Sequence, residues 1–103
     1  MELKITIRNQ VDFSIFLEEY LREKVEKLER FNNQDVFKVE AIISEDRFEK
    51  VCELLTRVKG KDLIARAQAP DFPVAIDQVV QRLKIQLEKY FGKKIDHKRR
   101  SKE

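Results

Sequence analysis

Leu3, Ile5 and Ile7 alternate with Glu2, Lys4, Thr6 and Arg8, the period-two pattern of a strand with one buried face. The period then changes. Phe13, Leu17, Tyr20, Leu21, Lys24, Val25, Leu28 and Phe31 recur at three- and four-residue steps, which predicts a helix to about Arg30. Ser14 is placed to cap its first turn, and Asn32-Asn33 to end it.

Three runs with alternate apolar positions follow: Phe37, Val39, Ala41 and Ile43, then Phe48, Cys52, Leu54 and Val58, then Leu63, Ala65, Ala67 and Ala69. Lys59-Gly60-Lys61 offers a glycine for a tight turn, so the last two should form an antiparallel hairpin. Ser44-Glu45-Asp46 is the matching turn for the preceding pair. After Pro70, Asp71 can cap a second helix, with Pro73 in its first turn, where a missing N–H costs nothing. Phe72, Ile76, Val79, Val80, Leu83, Leu87 and Tyr90 form its apolar stripe, and Gly92 marks its end.

The predicted order is β-α-β-β-β-α. Strands with one polar face and helices with one apolar stripe make an α+β two-layer sandwich, a four-stranded sheet with both helices packed on one face. The length, 103 residues, suits one core. One domain is expected over residues 1–92, and residues 93–103 read as a basic, flexible tail.

With 42% hydrophobic and 40% charged residues, the chain can fold under a surface crowded with both signs of charge. The net charge of +3 is unevenly spread: from Arg82 to Glu103, nine basic residues face three acidic ones, so the remainder is net acidic. The lone cysteine, Cys52, can form neither an internal disulfide nor a thiolate zinc site. No long apolar stretch opens the chain. A soluble, cytoplasmic protein with no membrane contact is expected.

Catalysis finds no constellation. His97, the only histidine, lies in the tail; Cys52 falls on an inward strand face; Gly60 and Gly92 are the only glycines, so no phosphate-cradling loop exists. Neither catalytic residues nor a metal or cofactor are expected. Binding finds more. At 100° per residue, Arg82, Lys89 and Lys93 share one flank of the second helix, and Tyr20, Lys24, Lys27 and Phe31 one flank of the first. Glu19, Glu23, Glu26 and Arg30 share the first helix's outer face. If the helices pack side by side, the two flanks border one cationic groove edged by Tyr20 and Phe31 as candidate stacking rings, suited to a phosphate backbone and its bases. The competing explanation is that these charges solvate helix surfaces and that both rings sit at the edge of the core.

Two segments carry a family resemblance. Leu21-Arg22-Glu23-Lys24-Val25-Glu26-Lys27-Leu28-Glu29-Arg30-Phe31 is similar to E-K-L-x-K-L-E-R-Y, and Ala75-Ile76-Asp77-Gln78-Val79-Val80-Gln81-Arg82-Leu83-Lys84-Ile85-Gln86-Leu87 to A-I-D-x-x-x-x-K-L-x-x-Q-L. Over about residues 1–95 the chain thus resembles the hibernation-promoting factor and ribosome-associated inhibitor family, also labelled sigma-54 modulation proteins. The resemblance implies a monomer that binds 16S rRNA of the small ribosomal subunit, in the channel for messenger and transfer RNA. Translation is thereby blocked in stationary phase or stress, with no DNA partner. It assigns rRNA contacts to Lys24, Lys27, Arg30, Arg82, Lys89 and Lys93. Ile85 and Glu88 depart from the family's basic pattern on the second helix. A chain ending at Glu103 with a basic tail matches the short hibernation-promoting subtype, unless it is a truncated long form. The outer acidic face of the first helix and the older label leave a second hypothesis, a protein-binding regulator, for example of a transcription factor.

Overall fold

The computed structural model describes residues 2–32, 38–58 and 60–91, except for the side chains of residues 29–32 and 91. The order is β1 (Glu2–Ile7), α1 (Ile15–Asn32), β2 (Lys38–Asp46), β3 (Glu49–Val58), β4 (Lys61–Ala69) and α2 (Phe72–Phe91). The strands form one sheet in the order β1-β2-β3-β4. β1 runs parallel to β2, whereas β2, β3 and β4 are successively antiparallel. A parallel neighbour cannot be reached by a tight turn, and α1 supplies the crossover. The fold class is the expected α+β sandwich.

Register decides which residues meet the helices. Val39, Ala41 and Ile43 stand opposite Thr56, Leu54 and Cys52, which in turn oppose Leu63, Ala65 and Ala67. All nine are buried. Leu21, Val25 and Leu28 of α1 and Ile76, Val79, Leu83 and Leu87 of α2 close over this face as one cluster. Three alanines at alternate positions of β4, Ala65, Ala67 and Ala69, and Ala75 on the facing helix let α2 approach closely. Thr56, the one buried polar side chain among the described residues, donates its hydroxyl to the Lys38 carbonyl at 2.6 Å.

Both helix starts follow the capping logic. The Ser14 hydroxyl accepts from the Leu17 N–H at 3.3 Å, and an Asp71 carboxylate oxygen accepts from the Val74 N–H at 3.1 Å. α1 begins after Phe13, whose ring instead meets Phe72 edge to face at 5.1 Å, tying the two helix starts together.

Two expectations need correction. Ser44-Glu45-Asp46 is not a turn: β2 runs through it, with Asp46 paired to Glu49, and the chain reverses at Arg47-Phe48. Phe48 is therefore not a strand residue. Its apolar side chain imitates the start of β3, but it is 93% exposed in the turn. On the sheet's uncovered face, Val51 is buried although it points away from the helices. Its register neighbours are Ser44 and Gln68, and Arg66 bonds Gln68 at 2.9 Å, so long polar side chains lie across it.

The β3–β4 turn uses its glycine as expected, with φ +82° at Gly60 and no atom within 4 Å of an added Cβ. Gly60→Ala should therefore cost about 1–2 kcal/mol from backbone conformation alone. Gly60→Asn should cost less, because asparagine tolerates the left-handed region; urea melts of the two variants measure the difference.

Candidate nucleic-acid interface

The helices lie side by side and parallel, since each begins at the same end of the sheet and Tyr20 of α1 meets Asp77 of α2. The Tyr20 hydroxyl donates to Asp77 Oδ1 at 2.7 Å, Lys24 Nζ stands 3.7 Å from the same oxygen, and that ammonium lies 5.3 Å from the Tyr20 ring centroid. The hydrogen bond to Asp77 chiefly, with partial burial and the negative charges of Asp77 and Glu23, holds the phenol above its ordinary pKa. Tyr20 is thus part of a clamp between helices, with a cation over its ring.

This contact fixes the roll of α2 and separates the basic rows. At 100° per residue, Arg82 and Lys89 lie about 120–140° around the helix from Asp77. They face the free edge of β4, not α1. Arg82 donates to the Arg66 carbonyl at 2.6 Å, and one turn later Gln86 donates to the Ile64 carbonyl at 2.7 Å. Edge strands expose such carbonyls as templates for unwanted pairing, and these side chains occupy two of them. The single groove expected between the flanks is not built; the cations form two tracks, one on each side of α2.

The first track carries Lys24, half-buried and paired, and Lys27, exposed and without a polar partner among the described residues. The second carries Arg82, Lys89 and Lys61. Lys61 and Lys89, with Leu63, Gln86 and Tyr90, line a hollow of about 400 Å³. Arg30 and Phe31 lie in α1 but their side chains are not described, and Lys93 and the tail lie outside the described residues.

Sequence reasoning missed three residues here. Lys61 reaches Lys89 only because the β3–β4 turn folds the chain back, a pairing with no local signal. Lys84, half-buried, shares the α1-facing flank with Asp77, a relation its seven-residue spacing did show. Phe16, one turn before Tyr20 on the same stripe, is 78% exposed and is an open aromatic ring on that flank. Ile85, one of the two departures from the family's basic pattern, is 42% exposed on the outer surface of α2.

A further hollow, of about 280 Å³, lies at the sheet end bordered by Lys38, Glu40, Leu55, Arg57, Asp62 and Ile64. Arg57 and Asp62 pair at 2.9 Å there, so its charges cancel. Cys52 is buried in the core, and desolvation pushes its thiol up to about 12. Among the described residues, no helix is long and apolar enough to cross a membrane.

Solved structures share this architecture. A ribosomal subunit interface protein from Coxiella burnetii superposes with a TM-score of 0.82 at 22% identity, covering 90% of this chain and all of that one. The Protein Y N-terminal domain of Thermus thermophilus gives 0.75 at 23% identity, covering 87% and 99%. The fold is therefore a small α+β domain shared with both of these proteins. The chain belongs to the family described as sigma 54 modulation protein / S30EA ribosomal protein, whose model matches residues 3–95. It is also 30% identical over 88 residues to the ribosome hibernation promoting factor of Azotobacter vinelandii, spanning 85% of this chain and 81% of that protein. This is a family of ribosome-associated factors, not of enzymes.

Arg82 and Lys89 separate by role. Arg82→Ala should lower stability by about 0.5–1.5 kcal/mol through the lost bond to Arg66. Lys89→Ala should stay within about 0.5 kcal/mol of the parent in the same denaturation assay. The Cys52 thiol, protonated more tightly in the folded than in the unfolded chain, stabilises the fold fully below its ordinary pKa of 9.0, and that contribution erodes as pH rises toward 12. Iodoacetamide at pH 8 should leave native Cys52 intact and alkylate it in urea, as read by mass.

Proposed function

We propose that this chain is a hibernation factor that binds the small ribosomal subunit through 16S rRNA, occupies the messenger and transfer RNA channel, and so blocks translation in stationary phase or stress. The observation that carries this is the family match across residues 3–95, which spans both cation-bearing helices. The ribosomal names of two relatives, the Azotobacter vinelandii factor and the Coxiella burnetii protein, agree with it. Residues 1–92 are the binding domain, residues 93–103 add cationic charge, and the protein works in the cytoplasm as a monomer before binding.

The two tracks change the footprint this function needs. A single groove holds one RNA strand, whereas cations on both sides of α2 fit a helix laid between two phosphate backbones. Lys24 and Lys27 reach one strand, and Arg82, Lys89 and Lys61 the other, with Arg30 and Lys93 extending the tracks. Phe16 is a better stacking platform than Tyr20, whose ring is already covered by Lys24; Phe31 remains a candidate ring on that flank. Cation–phosphate contacts release counterions, so affinity should fall steeply with salt.

One observation favours a different partner. Glu19, Glu23 and Glu26 are exposed along the outer face of α1, and the family description includes modulation of sigma 54. A regulator of that kind would recover a protein, and no ribosomal RNA, in a nuclease-treated pull-down.

Lys27→Gln and Lys89→Gln should each weaken binding to purified small subunits and each lower the slope of log affinity against log salt by about one, additively because they touch different strands. Sedimentation across a salt series measures both. Unchanged slopes in the double variant would remove these tracks from the interface.

A further inference from the structure

The β2–β3 hairpin reverses at Arg47-Phe48 with φ of 52° and 75°, and neither residue is glycine. A two-residue turn with both angles positive is best made by Asn-Gly, because an L side chain with a Cβ resists that region. Phe48 is also the most exposed large hydrophobic side chain among the described residues, at 93%. Among the described residues, Arg47 and Phe48 have no side-chain hydrogen bond, ion pair or ring contact. The hairpin nevertheless carries an unfavourable turn and a bare aromatic ring to present them.

The surrounding charge says what kind of partner they meet. Asp46 and Glu49 are direct cross-strand partners at the closing position of the hairpin, and like charges placed there repel. Glu45 is neutralised by Lys50. The ring is therefore flanked by the Arg47 guanidinium and by two carboxylates, Asp46 and Glu49, that have no ion-pair partner among the described residues. A phosphate backbone would be repelled by that collar, whereas lysine and arginine side chains of a partner would relieve it. An aromatic residue beside an arginine is also the composition of a protein-interface hot spot.

We propose that the hairpin tip docks on a basic protein surface of the ribosome, with Phe48 in an apolar pocket and partner cations against Asp46 and Glu49. It rests on the ribosome reading and adds a protein contact to the RNA contacts of the helix tracks. The tip is a second anchor, opposite in charge to the first.

The test uses the full chain on purified ribosomes. Phe48→Ala should weaken binding about tenfold or more, as expected of a hot-spot aromatic. Phe48→Gly, which suits the turn, should melt no lower than the parent yet bind as poorly as Phe48→Ala. The Asp46→Lys, Glu49→Lys double variant should also weaken binding; stronger binding would mean the tip meets RNA, and overturns the proposal. A photoreactive benzoylphenylalanine at position 48 should form protease-sensitive, nuclease-resistant adducts. Adducts to RNA alone, or undiminished binding by Phe48→Ala, overturn the docking role while leaving the ribosome reading intact. Failure of the unsubstituted chain to sediment with ribosomes overturns both.

Discussion

Helix α2 has one apolar stripe and so one way to sit on the sheet, and most other features depend on that seat. Ile76, Val79, Leu83 and Leu87 are completely buried over β3 and β4, and exposing any one of them would forfeit roughly 1.5–3 kcal/mol of burial. With those four fixed, the remaining positions have no freedom. Asp77 must face α1, where Tyr20 and Lys24 meet it, and Arg82 and Gln86 must face the free edge of β4, where backbone carbonyls await donors. The core thus dictates which charges are spent on architecture and which are left for a partner.

That division explains why the basic residues are unequal. Lys24 and Arg82 each have a partner within the fold, so a phosphate must compete for them or share them; a guanidinium with five donors can share, an ammonium near a carboxylate less readily. Lys27 and Lys89 have no such commitment among the described residues. Ordering their side chains on a partner costs entropy, but they surrender no bond to a described residue. A surface built from both kinds has pre-positioned cations beside mobile ones, suited to following an irregular RNA backbone.

Much of this was legible in the sequence, and the failures are instructive. Element order, the Ser14 and Asp71 caps, the Gly60 turn and the buried stripes follow from local spacing, because each is decided within a few residues. The second turn was misplaced because Phe48 looks like a strand residue: periodicity assigns an aromatic ring to the interior, and only the register, with Asp46 opposite Glu49, shows that it does not go there. The groove failed for a different reason. Helical projection correctly put Arg82 and Lys89 on one flank of α2, but which flank faces α1 depends on the order of strands beneath, a non-local fact that spacing does not contain. Lys61 was lost the same way.

The places where local preference is violated coincide with the places where the fold gains least. Arg47 and Phe48 adopt a backbone better suited to glycine, Asp46 and Glu49 oppose like charges, and Phe16 leaves a ring in water next to a half-buried tyrosine. None of these sits in the core, where Leu54, Leu83 and their neighbours pack without exposure. In a domain of 103 residues the margin of stability is small enough that such costs, each about 1 kcal/mol, are a noticeable share of it. Features of that size persist when they serve contacts outside the molecule. Their arrangement, cations along the helix flanks and carboxylates around a hydrophobic tip, gives the domain surfaces of opposite sign, which is the asymmetry that the proposed docking on RNA and protein together would use.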